Sequence, residues 1–142
     1  METEYKPRPA TVDGVVVRKA IFTSTGLEGE LLLIKRAKEP HLGEWALPGG
    51  YMDADETASE AVVREVLEET GVKVKPLKMI GVFSDPKRDP RQTVSIAFLC
   101  EALSGTAQGG DDAGEAKWWP LSRLPPLAFD HLKIVASAVG VA

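Results

Sequence analysis

The stretch from Gly50 to Val72, Gly-Tyr-Met-Asp-Ala-Asp-Glu-Thr-Ala-Ser-Glu-Ala-Val-Val-Arg-Glu-Val-Leu-Glu-Glu-Thr-Gly-Val, constrains the fold more than any other part of the chain. Its glycine pair, Gly49-Gly50, is expected to break the chain ahead of a segment of helical period from Thr57 to Thr70. Thr57 and Glu60 have the spacing of a capping box, and Gly71 supplies the stop. At roughly 100° per residue, Glu65 and Glu69 lie about 40° apart around the helix and Glu68 roughly 60° from Glu65, so three carboxylates share one stripe. Val62, Val63, Val66 and Leu67 centre on another stripe, leaving the small Ala58 and Ala61 beside the acids. The pattern predicts a helix that packs with one side and presents acid with the other. Like charges at these spacings destabilise an isolated helix by about 0.2–0.5 kcal/mol per pair. Arg64 offsets one acid by reaching Glu68 at i+4, but it does not serve all three, and a hard divalent cation with oxygen ligands is the natural further partner.

Such a helix needs an apolar layer to pack on. Thr11 to Thr23 and Glu30 to Lys35 are β-branched, apolar runs separated by Ser24-Thr-Gly-Leu-Glu-Gly29, a hairpin signal. A loop from Arg36 to Glu44 leads to Trp45-Ala-Leu-Pro48. Strand-like runs follow at Leu77 to Ser84, Thr93 to Leu103 and Ala116 to Leu121, and Ala128 to Val139 is predicted to form a closing helix. Strands and helices interleave, which defines an α/β class. With 142 residues, 44% of them hydrophobic, the chain is expected to form one domain over 1–142. Ser104 to Gly114, with its flexible Gly109-Gly-Asp-Asp112 stretch, reads as a surface loop rather than a linker.

A formal net charge of −4 opposes nonspecific binding to nucleic acid or to an anionic membrane, both of which repel an acidic surface. Cys100, the single cysteine, sits in the apolar run Ile96 to Cys100 and reads as a buried thiol, which favours a reducing, cytoplasmic location. The amino-terminal residues lack an apolar signal core, and no run approaches the roughly 18 apolar residues that a membrane span needs.

Gly50, Glu56, Arg64, Glu65, Val66, Glu68, Glu69, Gly71 and Val72 match the Nudix box, G-x5-E-x7-R-E-U-x-E-E-x-G-U with U aliphatic, at every defined position. The chain therefore resembles the Nudix hydrolases, and Leu32 to Arg36, Trp45 to Gly50 and Trp118 to Leu121 look like their flanking segments. This resemblance implies an α/β/α sandwich around a mixed sheet and Mg²⁺-dependent cleavage of a nucleoside diphosphate linked to another moiety, with Mn²⁺ as an alternative ion. It further implies that Glu65, Glu68, Glu69 and the Gly50 carbonyl are the metal ligands, with Glu68 and Glu69 catalytic, and that Glu56 and Arg64 pair to hold loop and helix together. A catalytic base is expected either within the box or on a loop outside it, where Glu115 is the candidate; the alternative is an ordinary exposed glutamate.

Outside the box, Gly81 to Arg91 and Leu124 to His131 resemble ADP-ribose pyrophosphatases. Arg36 and Arg91, ahead of Arg88, are the candidates to grip phosphate, against the alternative of solvated surface arginines. Phe83 either stacks on adenine or ends a strand in the core. Asp130 and His131 either cap the last helix or lie near the pocket, and His41 reads as a surface residue without a partner. The first expectation is hydrolysis of ADP-ribose to AMP and ribose 5-phosphate. Alternatives are a diphosphatase for an oxidised nucleoside triphosphate or a dinucleoside polyphosphate, and a non-catalytic ADP-ribose-type sensor, disfavoured by the intact acidic set and by a chain ending at Ala142 without a further module. The apolar first hairpin could serve a homodimer.

Overall fold

Residues 4–110 and 113–140 are described in the computed structural model. Asp111 and Asp112 of the stretch read as flexible, and the residues at both ends of the chain, lie outside them. In chain order the elements are β1 (Ala10–Thr23), β2 (Gly26–Arg36), β3 (Trp45–Ala46), β4 (Gly49–Tyr51), α1 (Ala58–Thr70), β5 (Lys73–Phe83), β6 (Val94–Ser104), β7 (Ala113–Pro120), a 3-10 turn (Leu121–Arg123) and α2 (His131–Ala138).

The strands form one mixed sheet in the order β3-β2-β1-β6-β5, with β4 paired to β1 and β7 paired to β2. β1 and β6 run parallel while the other pairings are antiparallel. Alternation along β1 and β2 sorts their side chains between two cores. Val12, Val16, Leu32 and Ile34 pack with Ala61, Val62 and Val66 of α1, whereas Val15, Val17, Leu31 and Leu33 pack with Ile134 and Val135 of α2. The two helices therefore cover opposite faces of the sheet, the sandwich expected from the sequence. Full burial of Val62 and Val66 contributes about 1.5–3 kcal/mol each, enough to set which face of α1 turns inward.

The predicted ends of α1 are present: Thr57 Oγ1 accepts from Glu60 N, the Glu60 carboxylate accepts from Thr57 N, and Gly71 closes the helix in a left-handed conformation, φ 74°. Other boundaries differ. Gly49-Gly50 does not break the chain but lies in β4, held by pairing with Val12 and Asp13. The β1–β2 turn is only Ser24-Thr25. β5 starts at Lys73, directly after the helix stop, and α2 starts at His131 rather than Ala128. Leu67 is 48% exposed, because one step of about 100° from Val66 carries it off the sheet-facing side. Cys100 is buried, and burial pushes its thiol up to about 12, the behaviour of an inert core cysteine.

Candidate active site

β4 crosses the carboxy-terminal half of α1 over Glu65 and Glu69, and this crossing builds the site. Glu69 is 5% exposed and accepts a hydrogen bond from Gly49 N at 2.8 Å. The Glu65 carboxylate lies against Gly50, where burial raises its pKa despite the neighbouring Arg64. The acidic stripe thus turns partly inward, under β4, instead of facing solvent.

Arg64 gathers the acids at this edge. Its guanidinium donates to Glu56 at 2.6 and 3.0 Å, to Glu65 at 2.8 Å, to Glu68 at 3.1 Å and to the Tyr51 carbonyl at 3.1 Å. Hydrogen bonds from Arg64 and from Asp53 N hold the Glu56 carboxyl down at about 2. One cation therefore ties the β4–α1 loop to two acids of the stripe. Among the described residues, no three Asp, Glu, His or Cys side chains converge as a ready-made metal cage, since Arg64 draws Glu65 and Glu68 to itself.

A cavity of about 300 Å³ opens beside this crossing. Asp13, Asp53, Glu65 and Glu69 line it with acid, and Arg36, Lys38, Arg88 and Arg91 with base; Gly50, Tyr51 and Phe129 also face it. Its floor is polar and tightly satisfied. Leu47 N donates to His131 Nδ1 at 3.0 Å, leaving the His131 Nε2 edge 3.7 Å from Asp13 Oδ1, and Ser95 Oγ donates to Asp13 Oδ2. Burial lowers the His131 pKa and so favours the neutral ring, consistent with Nδ1 accepting from Leu47 N. Asp89 illustrates competing effects: burial alone raises its pKa, yet hydrogen bonds from Arg91 and Thr93 outweigh it and hold it at about 2.

Of the residues singled out in the sequence, Gly50, Glu65, Glu69, Arg36 and Arg91 meet in the cavity, with Glu56 and Arg64 supporting its edge. Glu68 stays outside it, half-exposed and bound to Arg64. Glu115 is not brought there. It lies on β7 rather than on a loop; Ala116 points into the α1-side core, so alternation turns Glu115 to the opposite face, exposed and across from Lys35. Phe83 is also outside, packed against the α2-side core, which is the strand-end alternative. Arg88 is buried and committed to Asp130 at 2.8 and 3.0 Å and to Thr93 at 2.7 Å, so Asp130 makes no side-chain cap for α2. His41 has partners after all, Glu44 at 2.9 Å and the Phe129 ring at 4.4 Å. Asp13, Tyr51, Asp89 and Phe129 were not foreseen. Asp13 carried the one usable signal, a lone acid inside an apolar strand, because a buried carboxylate must have partners.

Residues 15–138 match the family model of the NUDIX domain, and the chain belongs to that family. It is 45% identical over 132 residues, 92% of this chain and 73% of the relative, to an ADP-ribose pyrophosphatase of Methanocaldococcus jannaschii. It is 34% identical over 142 residues to the 8-oxo-dGDP phosphatase NUDT18 of Danio rerio, covering 93% of this chain but 42% of that protein. Among solved structures, the NUDIX domain of Shewanella oneidensis NrtR, crystallised with ADP ribose, superimposes with a TM-score of 0.79 at 31% identity, covering 94% of this chain and 88% of that one. Among the described residues, no helix is long and apolar enough to cross a membrane.

Proposed function

We propose that this chain is a divalent-metal-dependent diphosphatase that hydrolyses ADP-ribose to AMP and ribose 5-phosphate. The observation that carries the reading is the two-sided cavity: an acidic wall of Glu65 and Glu69 under β4 faces the guanidiniums of Arg36 and Arg91 across a space of about 300 Å³. A diphosphate with its counter-cation needs that pairing, acid to hold the metal and arginine to hold phosphate oxygens. The 45% identical archaeal ADP-ribose pyrophosphatase and the ADP-ribose-bound NrtR domain support the choice of substrate.

The donor set fits a hard divalent ion. Glu65 and Glu69 line one cavity, Glu68 lies one turn along the same stripe, and the missing side chain of Gly50 keeps the space above the Glu65 carboxylate open. These three acids and the Gly50 carbonyl would hold Mg²⁺, and Mn²⁺ equally, since both accept carboxylate oxygens. When bound, the ion supplies charge neutralisation on the diphosphate and a water of lowered pKa. Arg64, by donating to both Glu65 and Glu68, holds these two carboxylates close together. Arg36 and Arg91 orient the diphosphate, so that water adds to phosphorus and one P–O bond of the anhydride breaks. Glu115 does not line this cavity, so the base is assigned instead to a box glutamate that does, Glu65 or Glu69.

A second reading rests on the NUDT18 likeness, in which an oxidised guanine nucleotide is the substrate. Steady-state kinetics on ADP-ribose, 8-oxo-dGDP, 8-oxo-dGTP and a dinucleoside polyphosphate, with Mg²⁺ and after chelation, separate the two. ADP-ribose is expected to have the highest kcat/KM, and chelation to abolish turnover until Mg²⁺ or Mn²⁺ is restored. A tenfold advantage for an 8-oxo nucleotide, about 1.4 kcal/mol, overturns the substrate assignment.

A further inference from the structure

Phe129 adopts a left-handed backbone, φ 54°, that residues bearing a bulky side chain rarely occupy. Its neighbours are anchored elsewhere: Ala128 N donates to the Trp45 carbonyl, Asp130 is held by Arg88, and His131 lies buried beneath the cavity. The strained backbone between these anchors aims the half-buried ring into the cavity. There the Arg36 guanidinium lies 5.1 Å from the ring centroid and the Arg91 guanidinium 5.7 Å from it. His41, itself in a left-handed conformation, φ 62°, meets the same ring edge-on at 4.4 Å.

Each arginine is also fixed from behind. Arg36 Nε donates to the Pro40 carbonyl at 2.6 Å, and Arg91 is held by Asp89 and Tyr51. Arg36 Nη2, however, is buried without a hydrogen-bond partner, which is costly for a charged donor and points to an acceptor that arrives with a ligand. The two guanidiniums repel each other; Glu69, Asp89 and Asp13 offset part of that repulsion at Arg36, and the electron-rich face of the Phe129 ring attracts both cations.

We propose that Phe129 is a positioning residue, whose ring holds Arg36 and Arg91 as a preformed two-armed grip for a diphosphate. This rests on the diphosphatase reading and deepens it by naming the group that sets the grip. Phe129 is not assigned to contact the nucleobase. Preorganised arginines bind without first having to be gathered, so loss of the ring weakens binding while the chemistry at phosphorus is less affected.

Isothermal titration with inorganic pyrophosphate in the presence of chelator reads the grip without turnover. F129L is expected to bind pyrophosphate about tenfold more weakly than wild type, and to raise the KM for ADP-ribose similarly while kcat falls less than about threefold. F129Y, which keeps the ring, should retain pyrophosphate binding, and F129L should cost less in an R36A background than in the wild type, because part of the ring's effect runs through Arg36 and only the Arg91 part remains. Wild-type affinity in F129L overturns the proposal, as does full additivity of the two substitutions, which would mean that the ring touches the ligand by itself. Should F129L lose its cooperative thermal transition, F129M carries the same expectation. Failure to turn over ADP-ribose sinks the substrate reading alone, since the pyrophosphate titration decides the role of Phe129 separately.

Discussion

The Glu65 carboxylate lies so close to Gly50 that a Cβ at position 50 would stand 2.5 Å from its Oε2 and 2.6 Å from its carboxyl carbon. A strand residue without a side chain and a helix carboxylate occupy what would otherwise be one volume. This contact, rather than backbone freedom, is why glycine stands at position 50.

Replacement of Gly50 by alanine should therefore displace Glu65 and leave the sheet in place. Turnover is expected to fall by about 10²-fold, the effect of misplacing a catalytic group by an ångström, with a modest loss of thermal stability. Kinetics at saturating Mg²⁺ beside a thermal melt check this, and wild-type turnover in G50A would show that the Glu65 position is immaterial.

E69Q keeps an oxygen to accept from Gly49 N and removes only the charge. The fold should survive, and kcat should drop by about 10²-fold or more if the carboxylate serves the metal and the water. Circular dichroism and kinetics distinguish the outcomes; an active, folded E69Q removes Glu69 from the ligand set.

E115Q is expected to retain kcat within about twofold, since surface changes away from the site have small effects. Glu115 is exposed on β7, on the face away from the α1-side core. A hundredfold loss in this variant would mean that β7 moves toward the cavity during turnover.

His131 gives a pH dependence whose sign follows from burial. Its folded pKa lies below the ordinary 6.5, so below that value the unfolded chain takes up a proton that the folded chain refuses. The stability is complete above 6.5 and is lost as the pH falls from there toward the lowered folded value. Asp13 and Asp130 raise that value while Arg88 and Arg36 lower it further. The melting temperature of the wild type should fall on acidification through this window. H131N, whose amide oxygen can still accept from Leu47 N, should flatten the slope; an unchanged slope assigns the effect to other groups.

Local signals decided α1 and its role. The capping box, the Gly71 stop and the Glu65-Glu68-Glu69 stripe involve neighbours within one helix, where spacing alone sets geometry, and the Glu56–Arg64 pair was implied by the family resemblance. The apolar, β-branched runs likewise marked β1 and β2 as strands, and the resemblance implied the layered sheet, while which of their side chains meets which helix was decided by the tertiary structure. Tertiary structure decided everything that depends on which strand crosses which helix. Pairing with β1 made Gly49-Gly50 a strand over Glu65 and Glu69, and the partners of Asp13, 82 residues away at Ser95 and beyond at His131, turned a lone strand acid into the cavity floor. The same holds for Glu115 and Phe129. Register sent one to the far face, and a left-handed turn between distant anchors brought the other within reach of two arginines, because contacts between segments far apart in the chain leave no periodic trace in either segment.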